Sequence, residues 1–179
     1  SLYYREYGDP RSSRTPLLCL PGLSRNSHDF HELALSYAQT RRVVCPDYRG
    51  RGRSDYDPDP AKYHPRALLD DLRHLLVACG LNHFVAIGTS MGGILATGIG
   101  AVAPSTLRGV ILNDIGPEIG ASGVGRILDY IGRDHPQKDW DGAITALKTM
   151  LPGLNLKTEG EWRRAAEGRG SDRRGECWR

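Results

Sequence analysis

The chain has 179 residues, 39% of them hydrophobic and 25% charged, a mixture that suits a globular domain with a sizeable core. Its net charge of +3 is too small and too scattered to argue by itself for nucleic acid as a partner. The longest apolar stretch, Gly92 to Ala103, is glycine-rich and too short to span a bilayer, and no signal peptide opens the chain.

Leu2 to Tyr7 reads as a strand closed by Gly8-Asp9-Pro10. Thr15 to Leu20 is a short apolar run ended by Pro21-Gly22. Phe30 to Ala38 reads as a helix. Arg42 to Cys45 is another apolar strand, followed by a loop from Pro46 to Ser54. From Pro65 the period changes. Leu68, Leu72, Leu75, Leu76 and Cys79 fall on one face of a helix, which Gly80 stops. Phe84 to Ile87 is a strand, and Ser90 to Ala103 a helix stopped by Pro104. Leu107 to Leu112 is a strand of the buried type, followed by Asn113-Asp114-Ile115-Gly116-Pro117. Strands alternating with helices, the strands continuously apolar, predict an α/β fold: a mostly parallel sheet with helices on both faces.

After Pro117 the strands stop. Val124, Ile127, Leu128 and Ile131 make one helical stripe, and Ile144, Leu147 and Leu151 another; Glu159 to Glu167 is a third helix. The chain therefore divides into a core over residues 1–117, a helical segment over 118–167 and a tail over 168–179. The Arg/Gly-rich tail has no aliphatic residue, so it is expected to be disordered. Cys19, Cys45, Cys79 and Cys177 lack metal-ligand spacing and read as buried thiols of a reducing compartment, the cytoplasm.

The chemistry lies in Gly88-Thr89-Ser90-Met91-Gly92-Gly93. A bare Gly-x-Ser-x-Gly arises by chance in roughly one such chain in six, so its context must decide. Here a strand precedes it and a small-residue helix follows, as a serine on a tight, strained turn requires. Gly88 and Gly92 flank the serine because bulkier side chains would collide there. Leu20-Pro21-Gly22-Leu23-Ser24 ends an earlier strand, where a loop can offer backbone N–H groups to an oxyanion. The run Asp47-Tyr48-Arg49-Gly50-Arg51-Gly52-Arg53-Ser54 lacks the third glycine of a dinucleotide fingerprint and the Lys-Ser/Thr of a phosphate loop, and reads as a structured loop.

These segments resemble the α/β-hydrolase superfamily, most closely its bacterial esterases, lactonases and C–C-bond hydrolases. The markers are Tyr4 to Gly8, Pro21 to Ser24 with Asp29-Phe30, Asp47 to Ser54, Gly88 to Gly93 and Asn113 to Pro117, in that order. The resemblance implies that Ser90 attacks a carbonyl, that the N–H groups of Leu23 and Met91 form the oxyanion hole, and that the helical segment is a cap over the substrate. The implied partner is a small-molecule carbonyl substrate, with no cofactor, metal, nucleic acid or membrane. Serine at position 90 argues against the dehalogenases and epoxide hydrolases of this fold, which use aspartate there.

Two departures stand out. Many relatives have histidine where Pro21 stands, a side chain that can brace the loop. The larger departure is the base. In this family the triad runs Ser, acid, His, yet of six histidines only His135 follows Ser90, in a loop of the helical segment. His28, beside the oxyanion loop, reads as structural. Asp114, just past a strand, is a candidate acid, with a turn-fixing carboxylate as the alternative. The missing base and missing later strands lead us to expect a fragment with impaired activity, in which the strand Leu107–Leu112 is an exposed apolar edge. Three functions are thus open: a serine hydrolase, a non-catalytic receptor for a small ligand, and, more weakly, a nucleic-acid binder using Arg49, Arg51 and Arg53.

Overall fold

The computed structural model describes residues 1–116, 139–150 and 155–167. They fall in two units, Ser1–Pro117 and Glu118–Arg179.

The first unit is built on a sheet of five strands: β1 (Tyr4–Tyr7), β2 (Leu17–Leu20), β3 (Val43–Pro46), β4 (Phe84–Thr89) and β5 (Leu107–Asn113). Their order is β1-β3-β2-β4-β5. β1 runs antiparallel to β3, and the other pairings are parallel. The apolar runs explain the centre. β2 and β3 are buried at every position, because each has strands on both sides and helices over both faces.

Three helices cover the sheet: α1 (His31–Ala38), α2 (Pro65–Ala78) and α3 (Met91–Val102). Leu68, Leu72, Leu75 and Leu76 of α2 pack with Leu95, Ala96 and Ile99 of α3 against Leu18, Leu20, Val44 and Phe84. On the other face Ala34 of α1 and Phe30 meet Leu17, Cys19, Val43, Cys45 and Ile87. The mostly parallel sheet with helices on both faces is thus observed. α2 begins on Pro65, with its fixed φ at the first helical position. It ends at Gly80, whose φ of 63° no other residue would adopt as cheaply. There the N–H of Leu81 reaches Leu76 O at 2.8 Å and that of Gly80 reaches Val77 O at 3.0 Å, which satisfies two of the helix's last carbonyls.

β5 differs from the buried-type strand its composition suggests. Val110, Ile111 and Leu112 are 41%, 53% and 44% exposed. Apolar sequence decides that a segment becomes a strand, but burial also needs neighbours. Among the described residues β5 has only β4 beside it, so it forms the apolar edge expected on other grounds.

In the second unit, α4 (Trp140–Met150) and α5 (Glu159–Glu167) pack through Ile144, Leu147, Trp162 and Ala166. A capping box opens α5: Thr158 Oγ1 accepts the Glu161 N–H at 3.2 Å, and Glu161 Oε2 accepts the Thr158 N–H at 2.8 Å. The stripe from Val124 to Ile131, Leu151, His135 and the tail from Gly168 lie outside the described residues. Among the described residues no helix is long and apolar enough to cross a membrane.

Candidate active site

Ser90 sits where β4 turns into α3, with φ 52° and ψ −116°. Non-glycine residues avoid this region, and strain of this kind persists only where the surroundings enforce it. They do so here. The Ser90 N–H donates to Asn113 O at 2.9 Å, which ties the turn to the end of β5, and Ser90 O accepts the Gly93 N–H at 2.9 Å. A Cβ on Gly88 would lie 2.4 Å from Gly92 O, and one on Gly92 only 2.0 Å from Leu20 O. The two flanking glycines are therefore steric requirements of the turn.

The turn also brings a second segment close. A Cβ on Gly22 would stand 3.9 Å from the Ser90 Cβ, so the loop after β2 borders the serine directly. The peptide planes of this loop are held by their carbonyls. Pro21 O accepts the buried Tyr48 hydroxyl at 2.9 Å, Gly22 O the Arg25 N–H at 3.0 Å, and Leu23 O the Arg51 Nε–H at 2.9 Å. In a trans peptide the N–H points opposite to the C=O. Holding Gly22 O therefore also aims the Leu23 N–H. Among the described residues no hydrogen bond uses the N–H of Leu23 or of Met91.

The turn from Asp47 to Ser54 supports this arrangement, a role that its sequence does not announce. Asp47 is 2% exposed. Its carboxylate accepts the Ser27 N–H at 2.7 Å and the Arg53 N–H at 2.8 Å. Gly52, at φ 52°, allows the close approach, since a Cβ there would lie 2.1 Å from Asp47 Oδ2. The three arginines do not form a cationic patch. Arg49 holds Asp71 through two bonds of 2.7 Å and Asp57 at 3.0 Å. Arg51 is turned inward to Leu23 O, and only Arg53 is exposed, 4.6 Å above the Tyr3 ring.

Other candidates fall outside this constellation. His28 stacks on His31 at 5.6 Å, and Tyr7 Oη lies 2.9 Å from His31 Nδ1, which gives the pair a place in packing. Asp114 is exposed, with φ 53°. Thr89 pairs with Asn113 in the β4–β5 register, so Ser90 and Asp114 leave neighbouring strand ends together. Cys19, Cys45 and Cys79 are buried free thiols. A hydrogen bond with Cys19, then burial, pushes the Cys45 thiol far up, and burial chiefly raises Cys79, so neither is a nucleophile. Among the described residues no cluster of His, Cys, Asp and Glu could hold a metal. A cavity of about 450 Å³ lies between Tyr4, Arg49, Asp71 and His74, and Ser90 does not line it.

Tyr48 carries a testable pH dependence. Burial holds its phenol well above the ordinary value, whereas the unfolded chain releases that proton near pH 10. The stability this group contributes is complete below about pH 10 and is lost as pH rises above it. Tyr48→Phe is expected to lower stability by about 1 kcal/mol at pH 7, through the lost bond to Pro21 O. Its stability should then fall less steeply than that of the parent above pH 10. Urea unfolding at pH 7, 9 and 10.5 measures both effects.

Residues 15–147 match the model of the alpha/beta hydrolase fold family. The chain is similar to the 3-hydroxybutyrate-oligomer hydrolase of Cupriavidus necator, 34% identical over 160 residues, which cover 89% of this chain and 54% of that protein. It is also similar to a proline iminopeptidase of Levilactobacillus brevis, 38% identical over 96 residues, or 52% of this chain and 32% of that one. An α/β hydrolase structure from Novosphingobium aromaticivorans superposes with a TM-score of 0.88 at 40% identity, covering 98% of this chain and 62% of that one. The chain thus spans about half the length of the first of these relatives.

Proposed function

The chain belongs to the α/β-hydrolase family, and from that premise we propose that it is a serine hydrolase whose nucleophile is Ser90. The observation that carries the reading is the strained Ser90 turn set against the Gly22 loop. A carbonyl carbon bound over Ser90 receives the Oγ and becomes tetrahedral. Its oxygen takes up negative charge, which in this reading the N–H groups of Leu23 and Met91 receive; neither donates elsewhere among the described residues. The N-terminus of α3 adds positive potential at the same point. The Oγ proton passes through solvent to the leaving oxygen, so collapse expels the alcohol and leaves an acyl-Ser90; water then adds to the acyl carbon, a proton returns to Oγ, and the carboxylic acid is released.

An ester or lactone fits these parts, and the similar protein of Cupriavidus necator is named for 3-hydroxybutyrate oligomers, in which the linkages are esters. We assign this chain the same bond class. Asp114, paired in position with Ser90, is the candidate acid. In the sequence given, only His135 follows Ser90, and it lies outside the described residues. A second reading is a receptor that binds a small ester without turning it over.

A fluorophosphonate probe separates the two. The hydrolase reading expects covalent labelling by intact-mass spectrometry, abolished in Ser90→Ala. Saturable binding of a short hydroxyalkanoate ester, with no labelling of the parent chain, would replace it with the receptor.

A further inference from the structure

We propose that Arg51 is the positioning residue of the oxyanion loop, holding the peptide that follows Leu23. The proposal rests on the Ser90 reading. Three successive loop carbonyls are engaged, and the donors come from different sources. Gly22 O is held by the backbone N–H of Arg25, within the loop itself. Pro21 O and Leu23 O, on either side, are held from outside by Tyr48 and Arg51 of the Asp47–Ser54 turn. A loop tied only to itself can swing as a body. One tied at both flanks to a second turn cannot, and that turn is in turn fixed by the buried Asp47 carboxylate.

Arg51 is suited to this by its geometry. Its guanidinium is planar and presents donors in a fixed fork. Nε–H reaches Leu23 O at 2.9 Å while Nη1–H reaches Gly50 O at 3.0 Å, so one rigid group spans the loop and the turn. Its backbone is fixed as well: the Arg51 N–H donates to Tyr48 O at 2.9 Å, and Arg51 O accepts the Ser54 N–H at 3.0 Å. A charged donor on Leu23 O makes a stronger bond than a neutral one. Arg49 and Arg53 cannot substitute, being committed to Asp71 and Asp57 and to the Tyr3 ring.

The test compares Arg51→Met, Arg51→Lys and Arg53→Met by two readouts: the rate of fluorophosphonate labelling of Ser90, and hydrogen exchange of the peptide that covers Gly22 to Arg25, whose Arg25 amide is bonded to Gly22 O. Arg51→Met should slow labelling about tenfold, because an oxyanion donor is worth more than that when removed outright, and should speed loop exchange by about the same factor. Arg51→Lys, with one reach rather than two, should fall between, about threefold on each. Arg53→Met should change neither. A residue that only supports the fold would lower the melting temperature without changing the labelling rate. Parent-like labelling in folded Arg51→Met overturns the proposal. Should that variant not fold, parent-like values of both readouts in Arg51→Lys overturn it. If the parent chain itself takes no label, the Ser90 reading has failed, and loop exchange alone decides: unchanged exchange overturns the positioning role, and faster exchange upholds the tether.

Discussion

Gly92→Ala is expected to destabilise the first unit by about 4 kcal/mol or more. The added methyl would sit 2.0 Å from Leu20 O, 2.6 Å from Leu20 C and 2.8 Å from Pro21 O. All three are backbone atoms. No rotamer change relieves the clash, and the backbone cannot retreat, because β2 is paired to β3 on one side and β4 on the other. Overpacking relieved by side chains costs about 1–3 kcal/mol. A clash that must part a central strand from α3 should cost about 4 kcal/mol or more, against a typical total of about 5–15 kcal/mol. Gly88→Ala, at 2.4 Å from Gly92 O, should behave alike. Gly98→Ala is the control. It lies within α3, its new methyl would first meet the Leu69 side chain at 3.4 Å, and alanine gains about 0.5–1 kcal/mol over glycine inside a helix. Circular dichroism melts of the three variants should show two chains with strongly lowered midpoints and one at least as stable as the parent. A cooperative, parent-like melt for Gly92→Ala would mean that α3 does not approach Leu20 so closely.

The contrast between these glycines shows what was legible before the structure. Short-range periodicity carried the fold. The stripe at Leu68, Leu72, Leu75 and Leu76 is buried as its spacing requires, and the apolar runs of β2 and β3 are the doubly covered strands they resemble. Ser90 could be singled out because its strand, turn and helix are contiguous. What escaped depends on distant partners. The three arginines between glycines read as part of a structured loop, but what they hold did not show: the acceptors of two of them, Asp71 and Leu23 O, lie 22 and 28 positions away. No local window contains both ends of such a bond. The exposure of β5 escaped composition for the same reason, since a strand's own residues do not record how many neighbours it has. The glycine at position 52 did hold a signal for the buried Asp47: a turn needing φ 52° and no Cβ is one that something must approach.

That carboxylate supplies the second large effect. Asp47→Ala should destabilise the first unit by about 3–5 kcal/mol, because two backbone N–H groups, those of Ser27 and Arg53, lose their acceptor inside the protein. Asp47→Asn separates shape from chemistry. It keeps the volume, but an amide offers one accepting oxygen and one donating nitrogen. One N–H would stay satisfied and the other would face a donor, so a loss of about 2–3 kcal/mol is expected. Urea midpoints measure both. The consequence should reach Ser90, since the turn that Asp47 organises carries Tyr48 and Arg51, and those two hold the carbonyls flanking the Leu23 N–H. At urea concentrations where Asp47→Asn is still folded, its Ser90 labelling should be slower than that of the parent, whereas a comparably destabilising change at the strand end opposite Ser90, such as Leu81→Ala just before β4, should leave labelling unchanged. Equal slowing in both variants would show that labelling follows global stability. Slowing confined to Asp47→Asn would show that the buried carboxylate acts on the serine through the loop.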